Sequence, residues 1–498
     1  MSHSQRPVAV PLVAGHFSSL QQCRVACNIA WSDLRYAWTS GAFLSILVAG
    51  CLFVLILLLQ MNAPYETRIL PHTWVMLAFP VFFFSLLIQW MTFLYAGVFI
   101  QRAKTAGMQD LIDVTPVSNW VLLLSKVLAL VGMQMLLLIV LMLAGMSVQA
   151  YQGYYHFEPG HYLFDLFGIH LVAFVIWAFA AVFVQTLFTN PYIGLFFLMI
   201  GSFGIDQLPQ LGIKALVCRF NQDPHPSFFL QYSDLSGYGH ALLPYFLYKL
   251  YWLVFGLILF YLSLLFWQRG VKLSFRERLA LARKRCKGRP AFALTALIVL
   301  FCSMGAWLHH SGQTLPRVLT DKETDQVTAL ADQQYGRYAG AVQPRVVRVA
   351  VNMHIYPEVL RFQSDGVYVM VNKSAQPIDS LLVSTALTVQ TRYRFDRAAI
   401  LLHRDSTAHF DIHMLHKSLL PGDTMHLHFE LQNIPNNLLY KNSIIERNGS
   451  FITSAIYPAM GYYLPFPNEN PPALNNHYRS IDSDYVDFEA IVSTDADQ

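Results

Sequence analysis

Long apolar runs alternate with short polar interruptions through the first three-fifths of the chain. The runs lie at about 42–59, 73–99, 121–147, 168–188, 192–206, 245–267 and 293–308, and are built of Leu, Ile, Val, Phe and Ala. A helix needs roughly 20 such residues to cross hydrocarbon, so the pattern predicts seven membrane spans. Ahead of the first run, residues 16–38 carry apolar side chains at helical spacing: Leu20, Cys23, Cys27, Ala30, Trp31, Leu34 and Trp38. Gln21, Arg24, Asn28 and Arg35 gather on another face. That is the pattern of an amphipathic helix lying in a membrane interface. Residues 207–246 are interrupted too often for a clean span, so re-entrant or interfacial helices are expected there. After a polar linker the period changes to two from residue 343. VVRVAVNMHIYPE, GVYVMVNKS, SLLVSTALTVQT, AAILLHRDS, TAHFDIHML and DTMHLHFELQN are separated by Gly-, Asn- and Pro-containing turns. Short strands with no helices between them predict an all-β sandwich.

The main polar interruption among the spans, residues 99–126, reads FIQRAKTAGMQDLIDVTPVSNWVLLLSK. Arg102 and Lys104 open it. Leu111 and Ile112 form an apolar pair between Asp110 and Asp113, and Pro116 ends the segment with Thr115 and Ser118 as turn and cap residues. A short amphipathic helix at a membrane face suits docking to another protein.

Charge sets the orientation. The 498 residues are 55% hydrophobic and only 13% charged, far from the balance of a soluble domain. Arg269, Lys272, Arg276, Arg278, Arg283, Lys284, Arg285, Lys287 and Arg289 crowd one loop against the single acid Glu277. Beside a span such a run is a positive-inside anchor, not a nucleic-acid site. Counting spans from a cytoplasmic 269–290 loop places the N-terminus and the 99–126 segment inside, and everything after His310 outside. No early apolar core marks a cleavable signal, so the first span is expected to serve as signal-anchor. Six cysteines are scattered from Cys23 to Cys302, and the β region has none. Cys23 and Cys27 are read as packing rather than as a metal pair.

The interruption resembles the cytoplasmic coupling segment of type-2 ABC permeases, through Arg102, Lys104, Gly107, Leu111, Ile112, Thr115, Pro116, Val117, Ser118 and Lys126. Ile112 replaces a second Leu, and Ser125 stands where the pattern has Gly. The interfacial helix and the segment before the sixth span have counterparts in those permeases. The C-terminal region resembles the N-terminal β domain of gluzincin zinc aminopeptidases, in the version fused to bacterial ABC permeases. The likeness is carried by PRVVRVAVNMHIYPE (344–358), VYVMVNKSAQPI (367–378), LLPGDTMHLHFEL (419–431), NGSFI (448–452), YPAMGY (457–462) and VDFEAIVSTDADQ (486–498). YSDLSGYGHALLP (232–244) and FWQRG (266–270) resemble the permease half of the same fusions.

Together these readings divide the chain into six parts. They are a cytoplasmic segment with the interfacial helix (1–40), a six-span permease domain (41–268), a basic loop (269–290), a seventh span (291–310), a linker (311–342) and an extracytoplasmic β-sandwich (343–498). The resemblance implies a non-catalytic permease subunit in a bacterial inner membrane, most simply an exporter. It would couple to a cytosolic ATP-binding subunit through Arg102, Lys104, Gly107, Asp110, Leu111, Ile112, Asp113, Thr115 and Pro116. A second permease half, identical or paralogous, would complete the path, and the β domain would bind substrate or a periplasmic partner. There is no G-x-x-x-x-G-K-[ST] pattern, so ATP is expected on the partner subunit and this chain needs no cofactor. There is likewise no H-E-x-x-H, the zinc-binding element of the aminopeptidases. The alternative is a membrane-tethered part of a zinc aminopeptidase whose catalytic domain lies elsewhere; a weaker one is a scaffold whose spans only anchor the outer domain.

Other polar residues invite chemistry. Tyr232, Asp234, Tyr238 and His240 are candidates for an outer gate, against a glycine-bent turn as the plainer reading. His409, His413, His416, His426 and His428 are expected to face solvent rather than to gather a metal. Lys126 and Lys249, near span ends, are expected to snorkel, and Met133, Met135, Met142 and Met146 to face lipid or pack within the bundle rather than to hold a cofactor.

Overall fold

A computed structural model describes residues 18–59, 70–208, 211, 213, 215–218, 220, 232, 234, 237–270, 274–312, 330, 333–335, 338, 341–386, 389–406, 409–433, 445–446, 449–450, 452–461 and 485–495. The chain divides into two compact units, Met1–Gln222 with Leu247–Leu308, and Asp223–Phe246 with His309–Gln498.

The first unit is helical. In order the helices are α1 (Ser19–Trp38), α2 (Gly41–Leu59), α3 (Thr73–Thr105), α4 (Gln109–Val114), α5 (Asn119–Tyr151), α6 (Pro159–Leu163), α7 (Leu171–Leu187), α8 (Pro191–Gln207), α9 (Leu242–Phe266), α10 (Phe275–Arg285) and α11 (Arg289–Gly312), of which the unit holds all but residues 242–246 of α9 and 309–312 of α11. Residues Phe164–His170 form a π-helical turn that joins α6 to α7. Six helices among the described residues are long and apolar enough to cross a membrane, which marks a multi-pass membrane protein. The fifth expected span is present as α8, an apolar helix of 17 residues. α3 runs for 33 residues, so Arg102 and Lys104 belong to its last turn rather than to a separate short helix.

Buried amides hold these helices together. Gln134 Nε2 donates to Thr92 Oγ1 and to the Phe174 carbonyl, each at 3.0 Å, which ties α5 to α3 and α7. Gln185 Nε2 reaches the carbonyls of Phe93 (3.2 Å) and Pro191 (3.0 Å). Gln149 donates to the Pro71 carbonyl and accepts from the Tyr162 hydroxyl. In hydrocarbon the apolar surfaces of helices have no preference for each other over lipid, so such bonds and close packing set which helices meet.

α1 packs along α5 through only part of the apolar face expected to lie in the interface, namely Ala30 and the half-buried Leu34. Its buried residues are Ala26, Ala30, Asp33 and Ala37, a seam of small side chains. Leu20 and Trp31 remain 84% and 67% exposed, and Trp38, Cys23 and Cys27 are exposed too. Small residues let the two helix backbones approach, and they leave the large apolar side chains facing outward.

The second unit is mainly β. β1 (Arg345–Tyr356), β2 (Arg361–Val371), β3 (Ile378–Ser384), β4 (Val389–Phe395), β5 (Ala399–Asp405), β6 (Phe410–Leu419), β7 (Thr424–Asn433), β8 (Ile445–Glu446), β9 (Gly449–Ser450), β10 (Ala459–Met460) and β11 (Asp487–Ser493) follow in order. One sheet has the order β11-β1-β2-β7-β4 and a second the order β10-β3-β6-β5, while β8 and β9 pair alone. The segment SLLVSTALTVQT divides between β3 and β4, which belong to different sheets. Met353, Phe362, Met370, Leu427 and Phe429 of the first sheet share one core with Leu381, Val383, Leu415 and Leu419 of the second. The far face of β6 is also covered: Phe410 and Ile412 pack with Leu382 and with Tyr335 of the linker. The Tyr335 hydroxyl donates to Asp405 at 2.8 Å and lies 2.7 Å from His403 Nε2.

Candidate functional site

The strongest candidate site is the turn that joins α3 to α5. α3 ends at Thr105, and Gly107 (φ +65°) takes the left-handed conformation that lets the chain reverse. The six residues of α4 follow, with the Thr115 hydroxyl donating back to the Ile112 carbonyl at its C-terminal end. Pro116 then stops the helix, and Ser118 precedes the first turn of α5. Lys104, Gly107, Asp110, Leu111, Thr115 and Pro116 are exposed, whereas Arg102, Ile112 and Asp113 are partly covered. The result is a crest of Met108, Leu111 and Val114, which are 51%, 67% and 86% exposed.

Three arginines of the basic region tie down this end of the helical unit. Arg269 donates to the carbonyls of Thr115 (3.3 Å) and Val117, while the Gly270 N–H donates to Asp113 Oδ2 at 2.8 Å. The turn after α4 is therefore fastened to the end of α9. On α10, the buried Arg278 donates to Leu187 O (2.9 Å) and Thr186 O (2.6 Å), closing the C-terminal end of α7. One turn pair further on, Arg285 donates to the carbonyls of Leu265 and Trp267 at the end of α9. Guanidinium groups suit these positions, because the last carbonyls of a helix lack intrahelical donors and carry the negative end of its dipole. The basic loop expected as a topological anchor thus contains specific helix caps.

Asp33 completes the arrangement, and sequence reasoning missed it. It is 3% exposed. Its Oδ1 accepts from Arg102 at 2.8 Å and its Oδ2 from Lys126 at 2.6 Å. Arg102 also donates to the Ser32 carbonyl and lies 4.6 Å from the centre of the Tyr36 ring. One carboxylate therefore holds together α1, the last turn of α3 and the first turns of α5. Lys126, expected to snorkel, is paired with this buried carboxylate. Lys249 likewise donates to the Phe220 carbonyl at 2.8 Å, over the ring of the same residue.

Three of the four outer-gate candidates, Tyr232, Asp234 and Tyr238, are among the described residues. Rings of Tyr232 and Tyr238 meet edge to face at 5.3 Å, and Asp234 is exposed. The side chain of His240 lies outside the described residues. A second ionisable pair missed from sequence sits in the π-helical turn before α7: Asp165 is buried, 3.3 Å from His170 Nε2. Its signal was an Asp and a His at the start of an apolar run, the setting in which charged side chains mark functional positions.

The histidines of the β unit do not converge. His426 and His428 occupy one face of β7, and His426 Nδ1 lies 2.7 Å from Asp396 Oδ2. His413 corrects the expectation of solvent exposure. It is buried, with Nε2 2.9 Å from the Tyr393 hydroxyl, which donates to Asp411. Arg404 donates to both oxygens of Asp411. Burial pushes the His413 imidazole below its ordinary value of 6.5, against the opposing pull of Asp411. Burial and the Asp411 carboxylate push the Tyr393 phenol up. Among the described residues no three His, Cys, Asp or Glu side chains are grouped to hold a metal ion.

No family model matches the chain, and no curated protein matches it. The solved structures similar to part of it include an M1 zinc metallopeptidase from Deinococcus radiodurans. It is 14% identical with a TM-score of 0.16, over 20% of this chain and 22% of that one. A variant of an M1 zinc metallopeptidase from the same organism is 13% identical with a TM-score of 0.15, over 19% and 21%. The chain thus spans about a fifth of the length of the structures it matches, a likeness too small to bear on function.

Proposed function

We propose that this chain is the membrane subunit of an ATP-driven transporter of the ABC type-2 form, working as an exporter in a bacterial inner membrane. The observation that carries the reading is the exposed apolar crest of α4, held at its base by Asp113, Arg269 and Gly270. Six spans make one half of the pathway, with the N-terminus inside. A second half, identical or paralogous, and two cytosolic ATP-binding subunits complete the machine. The ATPase seats on Met108, Leu111 and Val114. Closure of the motors moves α4, and the bonds from Asp113, Thr115 and Val117 pass that displacement to the end of α9. The Arg102–Asp33–Lys126 cluster passes it to α1, α3 and α5. Two discrete packings of the helices then alternate access to the path. The seventh span, α11, carries the β unit outside, where it binds substrate or a partner.

The test is purification of the tagged chain from its native membrane, followed by an ATPase assay on the complex. Leu111→Asp places a charge on the crest without touching a buried residue, and is expected to release a cytosolic ATPase while the chain stays folded. A wild-type complex devoid of ATPase defeats the reading. If that complex carries a zinc peptidase instead, the chain is the membrane tether of an aminopeptidase.

A further inference from the structure

The outer face of the β11-β1-β2-β7-β4 sheet carries an open groove of about 640 Å³, lined by residues of β1, β2, β7 and β4. Beneath it Phe429 packs directly against Gly366 of β2, where a Cβ would stand 2.4 Å from the ring. Across the groove the register sets side chains in rows. Asp365 of β2 stands opposite Glu430 of β7, and Glu430 opposite Arg392 of β4. In the next row are Val367, His428 and Arg394. Asp365 accepts from Asn352 Nδ2 at 3.2 Å. Glu430, Arg392, Arg394 and His428 have no ion pair or side-chain hydrogen bond among the described residues, although Glu430 and Arg392 are register partners.

The floor is thus negative on two neighbouring strands and positive at the edge strand. Two carboxylates directly opposite each other, with Cβ atoms about 5 Å apart, repel unless a cation lies between them. A cation alone would leave both guanidinium groups without a counter-ion, and an anionic polymer would be repelled by Asp365 and Glu430. A ligand carrying both charges satisfies the whole row. Its reach follows from the sheet: two strand spacings of about 4.8 Å separate Asp365 from Arg392, roughly 10 Å in all. An extended chain rises about 3.3–3.6 Å per residue, so a tripeptide with free termini spans the same distance.

We propose that this groove binds a linear zwitterion of about tripeptide length, its ammonium on Asp365 with Glu430 beside it and its carboxylate on Arg392 and Arg394. An arginine fork donates two parallel bonds to a carboxylate, which fixes the direction of the ligand. Gln363, Gln390, Gln432 and His428 offer hydrogen bonds to the amides between. The site needs neither an ATPase nor a direction of transport, so it stands whether or not the transport reading does.

The test uses the full chain in detergent or nanodiscs, titrated calorimetrically with tri-alanine, N-acetyl-tri-alanine, tri-alanine amide, alanine and phosphoethanolamine. Tri-alanine is expected to bind saturably at millimolar concentration or below, and alanine, too short to reach both charges, about tenfold or more weakly, a difference of ~1.4 kcal/mol. Acetylation and Glu430→Gln should each cost a similar factor, with no further loss when they are combined. Amidation and Arg392→Gln should behave as a second such pair. Absence of saturable tri-alanine binding to the wild-type chain overturns the proposal, as does binding indifferent to both blocked termini. Phosphoethanolamine binding more tightly than tri-alanine would also overturn it, in favour of a headgroup site. The blocked peptides act on the wild-type protein, so the result stands even if a variant misfolds.

Discussion

Replacing Asp33 by Asn removes the charge from a buried carboxylate while preserving its shape, and leaves two cations behind. Their burial differs, and that sets the magnitude. The Lys126 side chain is 13% exposed, whereas that of Arg102 is 32% exposed. Removing one partner from a buried pair costs about 3–5 kcal/mol, while exposed pairs contribute about 0–1 kcal/mol. Arg102 retains the Ser32 carbonyl and the Tyr36 ring, so most of the loss falls on Lys126. We expect a total of about 3 kcal/mol against the docking of α1 on α5. The assay is hydrogen–deuterium exchange over residues 19–38 of the full chain. If α1 opens as a unit, its protection falls by roughly two orders of magnitude, since ~1.4 kcal/mol is a factor of ten. Lys126→Met on the Asp33→Asn background deletes the stranded ammonium and should recover at least half of that protection. Exchange in α1 unchanged by Asp33→Asn would refute the reasoning. So would a double variant no better protected than Asp33→Asn alone, because the cost would then not come from the unpaired charge.

Three further outcomes follow from the same structure. Arg278→Gln removes a guanidinium that closes the end of α7 through Thr186 O and Leu187 O; a loss of about 2 kcal/mol is expected, read as a lower melting temperature in detergent, with Arg278→Lys recovering only part. Gly194→Ala places a methyl 2.4 Å from Gln185 Oε1 and should displace Gln185 from the Phe93 and Pro191 carbonyls; lower thermal stability is expected, and an unchanged melting curve counts against this contact. The folded-state value of His413 lies below its unfolded value, so the unfolded chain binds the additional proton first and stability falls as pH drops below about 6.5. Exchange over residues 410–419 should therefore rise on acidification, with a shallower pH dependence in His413→Gln.

What was legible in this sequence was what repeats locally. Apolar runs announce spans because every residue in them carries the same message, and the change to period two announces strands for the same reason. The helix–turn of residues 99–126 was legible through Gly107 and Pro116, whose backbone demands are intrinsic. Asp33 was hidden because the partners that give it meaning lie 69 and 93 residues away. It was also hidden because α1 turns its small residues inward and leaves Leu20, Trp31 and Trp38 exposed, so its large apolar side chains do not mark the packing seam. His413 was hidden by a different failure of periodicity: β6 is covered on both faces, so alternation along it cannot separate core from solvent. The groove shows the limit most directly. Asp365, Glu430 and Arg392 are each readable as outward positions on their own strands, but β7 enters the sheet between β2 and β4, and only that insertion sets the two acids side by side with an arginine at the edge. Chemistry that depends on one strand's pattern can be read from sequence. Chemistry that depends on the order of strands must wait for the fold.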